Sequence, residues 1–440
     1  MSRAPTQIIE QSPMGALQIV AITLTVLLNG LDGFDVLAIS FASPGIASEF
    51  GIDRSALGFV LAAELIGMSV GSVVLGSLSD KLGRRPLILF CLLTMSLGMF
   101  GSSSANSVLT LAIWRIATGV GIGGMLAAIT ATAAEHSNEK NRSFCVALSA
   151  IGYPIGAVLG GSVAAWLLSL YDWRSVFIFG GTITAVFLPI VWLGMPETIA
   201  HLAQKQPRNA LSRINRILAR MGHAAVDQLP VPRQAEFKTP TAELFAPTLI
   251  RRTILVTLAY FLHIATFYFI LKWVPKIVVD MGFVASSAAG VLVWANVGGA
   301  IGGITLGFIT RRLPTRLMTI IALLGAFVMV SVFGMGQSTI FQLSLIAAIA
   351  GFFTNSGVVG LYALFAEAFP TQVRGAGTGF AIGVGRGGAA LSPILAGFLF
   401  DGGLGLQGVA IIMASGALIA AVCLMLLRTA DLQNDQRQAS

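Results

Sequence analysis

Two aspartates lie three residues apart inside a long apolar run of the sequence. Asp32 and Asp35 belong to the segment NGLDGFD at residues 29–35, within a run from about Leu17 to Phe41. A run of this length is typical of a membrane-spanning helix, and a spacing of three places both side chains on one helix face. An aspartate at bilayer depth costs about 2.5–3.5 kcal/mol, so such residues usually carry function. Mutual repulsion and burial both favour protonation of at least one carboxyl group, which makes the pair a candidate proton carrier.

The same pair has a structural alternative, in which each aspartate only bonds to backbone or hydroxyl groups of a neighbouring helix. Gly30 and Gly33 slightly favour a functional role, because a residue without a side chain lets a ligand or another helix approach the backbone. In either case the shared face of Asp32 and Asp35 must look into a water-filled cavity or into protein.

The composition excludes an ordinary soluble domain. The 440 residues are 55% hydrophobic and 10% charged, with a mean hydropathy of +0.85, whereas soluble domains carry about 25% charged residues. Residues 1–14 lack the pattern of a cleavable signal peptide. Cys91, Cys145 and Cys423 each lie in an apolar run, which favours packing over disulfides. No catalytic motif and no cluster of metal ligands is recognisable, so we expect neither an enzyme nor a cofactor.

Twelve apolar runs follow one another, separated by polar or turn-rich breaks. Each is long enough to cross about 30 Å of hydrocarbon at ~1.5 Å per residue. They predict an all-α membrane protein with twelve transmembrane helices. Their approximate spans are 17–41, 55–78, 86–104, 108–133, 143–169, 175–195, 250–276, 285–310, 316–336, 340–365, 375–400 and 406–428.

Basic residues are distributed unevenly among the breaks. With the N-terminus inside, most of them are cytoplasmic, and the few that fall outside are Arg54, Arg174, Lys272 and Lys276. By the positive-inside rule this predicts a multi-pass protein of the cell inner membrane with both termini in the cytoplasm. It also accounts for the net charge of +8 without a nucleic-acid partner.

The longest polar stretch divides the chain. Residues 198–249 predict a cytoplasmic linker, within which Ala210–Met221 has the pattern of an amphipathic surface helix. The other predicted segments are a cytoplasmic tail (1–16), a first six-helix half (17–197), a second six-helix half (250–428) and a second cytoplasmic tail (429–440).

The two halves repeat each other at an offset of 231 or 232 residues. The recurring residues are Gly71 and Gly76, repeated as Gly302 and Gly307, and Glu135 and Arg142, repeated as Glu367 and Arg374. Duplicated, pseudo-symmetric halves with a ligand site at their interface are an architecture of transporters.

The offset also relates polar residues inside the runs. Asp32 maps onto His263, and Glu64 maps beside Asn296. Polar groups at equivalent depth in both halves indicate a shared cavity. For His263, a packing role within the helix bundle is an equally weighted alternative.

Two arginines lie within apolar runs. Counting along the helices places Arg115 at a depth similar to that of Asp35, and Arg386 near the membrane midplane. We expect the guanidinium of Arg386 to bind a substrate carboxylate through two hydrogen bonds, because the surrounding glycines at 383, 385, 387 and 388 leave space for a ligand. The alternative is a structural partner for the aspartates of the first helix.

One turn resembles a known family. The segment GSLSDKLGRR at residues 76–85 matches the G-x-L-x-D-x-x-G-R-R/K signature of the major facilitator superfamily. Within it, the DGFD motif at 32–35 is similar to that of the aromatic acid:proton symporters. Other marks cover nearly the whole chain: Arg115 followed by glycines, DWR at 172–174, PET at 196–198, and the segment from Glu367 to Gly375. The second copy of the turn departs from the signature, since Arg311 stands where the first copy has Asp80.

This resemblance implies roles for particular residues. Asp32 and Asp35 would couple transport to protons, and Arg386 or Arg115 would meet an anionic substrate. Aromatic residues that are candidates for stacking on its ring are Phe34, Tyr153, Tyr260, Phe267, Trp294 and Tyr362. The predicted substrate-binding set is Arg386, Arg115, Glu64, His263, Trp294, Asn296, Tyr153 and Phe34.

A cytoplasmic gate is predicted from the signature turn and its partners. Ion pairs there would hold the inner side closed and would change partners when it opens. The departure at Arg311 predicts an asymmetric gate. Its residues are Gly76, Asp80, Gly83, Arg84, Arg85, Glu135 and Arg142, with Glu367 and Arg374 opposite.

Together with these patterns, the resemblance to the aromatic acid:proton symporters implies proton-coupled symport of an aromatic carboxylic acid anion by alternating access, by a monomer in the bilayer. Transport of another organic anion or a sugar acid on the same scaffold is the nearest alternative. A channel or a membrane-embedded sensor is a different class, disfavoured by the duplicated halves and by the lack of a recognisable soluble sensor domain.

Overall fold

The computed structural model describes residues 4–230, 241–370 and 372–427, without the side chains of Ser77, Asp80 and Thr241. Regular structure within these residues is helical, and twelve of the helices are long and apolar enough to cross a membrane. Part of the predicted linker (231–240) and the predicted tail 429–440 lie outside the described residues. The helices are α1 (Pro5–Gln11), α2 (Ala16–Phe50), α3 (Arg54–Leu82), α4 (Arg84–Ser103), α5 (Val108–His136), α6 (Arg142–Leu170), α7 (Arg174–Gly194), α8 (Ile199–Lys205), α9 (Ala210–Met221), α10 (Ile250–Asp280), α11 (Ala285–Ile309), α12 (Thr315–Phe333), α13 (Ile340–Ala368), α14 (Arg374–Asp401) and α15 (Leu406–Leu426).

All twelve predicted spans are confirmed as helices, but several helix ends were placed too early, among them those of α2, α3 and α10. The sequence predicted an end near residue 41 for α2, whereas the helix continues through Pro44 to Phe50. Close packing holds this extension, since a Cβ atom added at Gly45 would lie 2.7 Å from the Trp173 ring. Helix α10 likewise runs four residues past its predicted end, to Asp280. The proline and glycine after residue 41 therefore do not end α2, and the helix is longer than the apolar run that predicted it.

The described residues form two compact units. The first comprises the described residues of Met1–Val36, Gly67–Leu159 and Phe177–Phe237. The second comprises those of Leu37–Ile66, Gly160–Val176 and Lys238–Ser440. The boundaries cut α2, α3 and α6 part-way and separate the first residues of α7 from the rest, so one segment of each is grouped with the helices that follow residue 238.

In the first unit, α2 and α6 are in direct backbone contact. A Cβ atom added at Gly156 would lie 1.8 Å from the carbonyl oxygen of Gly30, and one added at Gly33 would lie 2.1 Å from that of Tyr153. The Asn29 side chain donates to the carbonyl of Ser149 at 2.8 Å. Glycines are needed here because any side chain would push the helices apart.

Three short helices of the first unit share an apolar cluster. The predicted helix Ala210–Met221 is present as α9. Its buried face, with Ile214 and Leu218, packs against Ile9 of α1 and Leu202 of α8. The amphipathic pattern of α9 therefore covers protein side chains in this structure.

In the second unit, α11 and α13 approach each other in the same way as α2 and α6. A Cβ atom at Gly351 would lie 1.9 Å from the carbonyl oxygen of Ala295, and one at Gly298 would lie 1.8 Å from that of Ala348. Small residues at such crossings are typical of membrane helices, where close van der Waals contact drives association.

Replacing a contact glycine should therefore destabilise the protein. We expect Gly156→Ala to lower the thermal melting midpoint in detergent, because overpacking of a tight contact costs about 1–3 kcal/mol. Gly290→Ala is the matched control, since nothing lies within 4 Å of a Cβ atom there. Equal melting midpoints for Gly156→Ala and the wild type would contradict the close contact of α2 and α6.

Candidate functional site

The two aspartates of α2 are inside the first unit. Asp32 is 2% exposed and Asp35 is fully buried. Asp32 interacts electrostatically with Cys91 of α4. A Cβ atom added at Gly180 of α7 would lie 3.3 Å from Oδ1 of Asp35, so α7 passes close beside that carboxyl group. Of the two surroundings that the sequence allowed for this pair, the structure shows protein interior.

Arg115 of α5 lies against the same stretch of α2. Its guanidinium donates to the backbone carbonyl of Asp35 at 3.0 Å and to the sulfur of Met99 at 3.1 Å. Its Cζ atom lies 5.3 Å from the centre of the Phe177 ring. The side chain is fully buried, so these contacts replace hydration. The structure thus brings Arg115 and Asp35 together, as the count of helix depth predicted.

Two predicted aromatic residues of the first unit contribute to this region in different ways. Phe34 is 4% exposed and packs edge-on against Phe179, with ring centres 5.4 Å apart. Tyr153 is half-buried, and its backbone contacts Gly33. The glycine of the DGFD motif therefore admits a neighbouring helix.

Arg386 lies in the second unit on a helix face lined by glycines. It is half-buried on α14. A Cβ atom added at Gly379 or Gly383 would find nothing within 4 Å, so the helix face leading to Arg386 is open. The guanidinium interacts electrostatically with the hydroxyl groups of Tyr260 and Tyr268. An arginine beside open space and phenol groups can receive a carboxylate through two parallel hydrogen bonds.

One of the tyrosines beside Arg386, Tyr260, forms a polar pair with Tyr362. The hydroxyl groups of Tyr260 and Tyr362 lie 3.1 Å apart. Tyr260 is 4% exposed and Tyr362 is 44% exposed, so one ring is anchored in the core and the other is accessible. Both rings also contact Phe365 of α13. This pair presents hydroxyl groups that can donate to or accept from a polar ligand.

The other predicted binding residues of the second unit, His263, Trp294 and Asn296, differ from one another in burial and in contacts. His263 is fully buried, and its Nε2 atom lies 2.8 Å from the carbonyl of Thr354. Its ring fills the space beside Gly357, which matches the packing alternative. Trp294 is 54% exposed, and Asn296 donates to the carbonyl of Leu292 in its own helix. The side chains of His263 and Asn296 thus each bond to a backbone carbonyl of the protein, and these contacts form without a ligand.

The signature turn positions a partly buried ion pair in the first unit. Gly83 has φ +104°, a conformation that favours glycine. Arg84, which follows it, pairs with Glu135 at 3.0 Å and donates to the hydroxyl of Ser79 at 2.6 Å. Arg85 donates to the carbonyl of Trp192. The side chain of Asp80 is outside the described set, and a Cβ atom at Gly76 would meet nothing within 4 Å.

A carboxylate from a later segment caps the same turn. Glu197, from the predicted PET mark, accepts a hydrogen bond from the backbone N–H of Arg84 at 3.0 Å. This N–H begins α4, where helix donors are otherwise unsatisfied and a negative charge is favourable. The PET segment is therefore a helix cap for the signature turn.

The remaining gate residues make separate contacts. Arg142 pairs with Glu10 of α1 at 2.8 Å, a partner that the sequence did not indicate. Glu367 accepts from the hydroxyl of Thr315 at 2.6 Å, and Arg374 donates to the carbonyl of Phe369 at 3.3 Å. Glu135 and Arg142 recur in the sequence as Glu367 and Arg374, but the described contacts of the second pair differ from those of the first.

Sequence analysis missed a group of contacts at the other end of the helices, all within the second unit. Arg174 forms a two-pronged pair with Glu49 at 2.6 and 2.7 Å, and Trp173 donates to the same carboxylate. Asp401 at the end of α14 accepts from the backbone N–H groups of Arg54 and Ser55, which begin α3. The sequence did offer a signal for these contacts, since Glu49 and Asp401 stand at the ends of their helices and arginines stand at the starts of the helices they contact.

The most deeply placed of the missed contacts joins Glu64 to Lys272. Lys272 was predicted to lie outside, but it is fully buried within α10, as Glu64 is within α3. Their charged atoms are 3.5 Å apart. The depth of Lys272 was misjudged because α10 extends to Asp280, which places the lysine two turns inside the helix end.

Comparison with known proteins agrees with this architecture. Two relatives cover almost the whole chain: the gallate transporter of Pseudomonas putida is 30% identical over 95% of this chain and 93% of its own, and the 4-hydroxybenzoate transporter of Pseudomonas aeruginosa is 27% identical over 95% and 94%. The inward-open structure of the xylose transporter XylE from E. coli is similar in fold, with a TM-score of 0.74 at 18% identity over 96% of this chain and 99% of that one.

The family assignment rests on matches along most of the sequence. Residues 25–339 and 298–440 match the Major Facilitator Superfamily. The prediction of a transporter with twelve membrane helices, and not an enzyme, is confirmed by this match and by the helices of the structure. This chain belongs to the major facilitator superfamily of membrane transporters.

Proposed function

We propose that this transporter is a proton symporter that imports an aromatic carboxylic acid anion across the inner membrane, as a monomer working by alternating access. The observation that carries the proposal is the pair Asp32 and Asp35, nearly or fully buried three residues apart on one membrane helix. Buried acids within membrane helices are typical of proton pathways. The relatives named as gallate and 4-hydroxybenzoate transporters support the substrate class.

In this proposal Asp32 and Asp35 bind the transported proton. A proton at either carboxyl group removes a negative charge from an interior that cannot hydrate it. The guanidinium of Arg115, on the backbone of Asp35, keeps a positive charge at the same depth. Loading and unloading of the proton would therefore change the balance of charge around Arg115, and this change favours one conformation over another.

Arg386 takes the substrate carboxylate in this proposal. Its helix face is open along Gly379 and Gly383, so a planar ligand can approach the guanidinium. Tyr362, with 44% of its surface exposed, lies within the same polar group and offers an aromatic face and a hydroxyl to the ring. Arg84 and Glu135, with the orientation predicted from the basic residues, belong to the cytoplasmic gate.

The first test is uptake by intact cells. We expect cells that express the protein to accumulate radiolabelled benzoate, 4-hydroxybenzoate or protocatechuate, and to lose that accumulation when a protonophore is added. Accumulation should also fall as the external pH rises, because the inward proton gradient becomes smaller. Uptake of none of these compounds would refute the aromatic substrate class, and accumulation that survives the protonophore would refute proton coupling.

The proton-binding role predicts a specific loss. Asp32→Asn should abolish protonophore-sensitive accumulation yet leave exchange of labelled for unlabelled substrate across the membrane, since an amide cannot carry a proton. Asp227→Asn, an exposed aspartate after α9, is the matched control and should accumulate substrate normally. If Asp32→Asn still accumulates substrate against a gradient, the proton is carried elsewhere.

The carboxylate-binding role predicts a change of affinity. Arg386→Lys should raise the half-saturating substrate concentration about 10-fold, because lysine keeps the charge but loses the two-pronged geometry. Arg312→Lys, at an exposed position, should leave it unchanged. Unaltered kinetics in Arg386→Lys would remove Arg386 from the binding site.

A further inference from the structure

A fully buried ion pair joins α3 to α10. Nζ of Lys272 lies 3.5 Å from Oε2 of Glu64, and neither side chain is exposed. Such a pair adds little net stability, because the cost of removing both charges from water offsets their attraction. Separating the partners without water would remove an opposite charge from each of two buried groups. The pair therefore depends strongly on α3 and α10 remaining together.

A second ion pair joins the same helices nearer to their ends. Nη2 of Arg54 lies 3.0 Å from Oδ2 of Asp280, and both side chains are partly exposed. Along α3, Glu64 is about 15 Å further in than Arg54, and along α10, Lys272 is about 12 Å further in than Asp280. The depths of the two pairs agree. The signs are reversed between them, so the four charges fit together in only one register of α3 against α10.

The same segment of α3 also contacts the backbone of α14. A Cβ atom added at Gly58 would lie 2.5 Å from the carbonyl oxygen of Pro393, and one at Gly397 would lie 2.5 Å from that of Arg54. Contacts this close leave no room for gradual loosening. The end of α3 is either seated against both helices or separated from them.

We propose that Glu64 and Lys272 form a charge lock, which holds α3 against α10 in the state described here and separates once in each transport cycle. The proposal rests on the proposed function only in stating that the contact opens during transport. An ion pair suits a contact that must open repeatedly. Water that enters between the separated charges hydrates both, whereas an apolar contact of the same size gains nothing from water and resists opening.

The seating of α3 can be measured without knowing the substrate. The rings of Phe59 on α3 and Phe398 on α14 are 5.8 Å apart, and both are about half exposed. Phe59→Cys combined with Phe398→Cys, in full-length protein whose three native cysteines are replaced by alanine, gives a reporter pair. The rate of cross-linking by a short thiol-specific reagent then measures how much of the time α3 is seated.

The charge lock predicts a pattern of rates. Glu64→Gln and Lys272→Gln should each slow cross-linking on the order of 10-fold, because the remaining buried charge then loses the opposite charge beside it and favours the opened, hydrated state. The exchanged variant, Glu64→Lys with Lys272→Glu, should restore the rate to within about 3-fold of the reporter protein, since the pair is re-formed. Lys276→Gln is the matched control: this lysine pairs with Asp280 inside α10, and its loss should leave cross-linking unchanged.

A second pair of substitutions tells a lock from a fixed structural contact. Glu64→Leu with Lys272→Met should cross-link at least as fast as the reporter protein, yet take up radiolabelled 4-hydroxybenzoate about 10-fold more slowly, because an apolar contact opens less readily. Wild-type uptake in this variant, or wild-type cross-linking in both single variants, would overturn the proposal. If the wild type itself takes up no aromatic acid, the proposed function fails, and the cross-linking rates still decide the lock.

Discussion

The structure depends on how it treats charged side chains that have lost their hydration. Asp35, Arg115, Glu64 and Lys272 are fully buried among apolar helices, where an ion without compensation is very costly. The protein compensates Arg115 with a backbone carbonyl, a sulfur atom and an aromatic ring, and it compensates Lys272 with a carboxylate. In both cases the partners lie on helices other than the one that carries the charged residue. The buried charges therefore determine which helices must pack together and at what depth, while the apolar residues only require that they pack.

Glycine supplies the second requirement, which is close approach. The crossings of α2 with α6 and of α11 with α13 bring backbone against backbone at Gly156 and Gly351. Because such contacts leave no side chain to adjust, they fix the rotation of each helix, and on α2 this rotation directs Asp35 toward α5 and α7. The sequence indicated the glycines beside the aspartates, but it could not show whether a ligand or a helix would use the space. That choice depends on which helix arrives, which is not a local property.

The parts of the fold that sequence predicted are those set by local chemistry. Length and hydropathy predicted the twelve helices, and the signature segment was interpreted as a turn, within which Gly83 has a positive φ. Contacts between distant segments were out of reach: Arg142 has Glu10 as its partner, and Lys272 lies inside α10 because that helix outlasts its apolar run. The predicted sites divide along the same line. Arg115 beside Asp35 followed from counting along helices, whereas the Glu64–Lys272 pair required knowing that α3 and α10 are neighbours.

Two helix starts show how the chain ties distant segments to its turns. Glu197 accepts from the first N–H of α4, and Asp401 accepts from the first N–H groups of α3. A carboxylate at a helix N-terminus satisfies donors that the helix leaves free and lies at the favourable end of its dipole. Both caps come from segments far away in the sequence, so each disappears if its two segments separate. The Asp401 cap is exposed, so water can replace it at little cost. Glu197 is only 6% exposed, and its contact with α4 is partly buried. The buried pair of Glu64 and Lys272 differs in that water must enter before its charges can part. In the proposed charge lock, opening of this pair therefore requires water at the depth of Glu64, in addition to release of the close glycine contacts between α3 and α14.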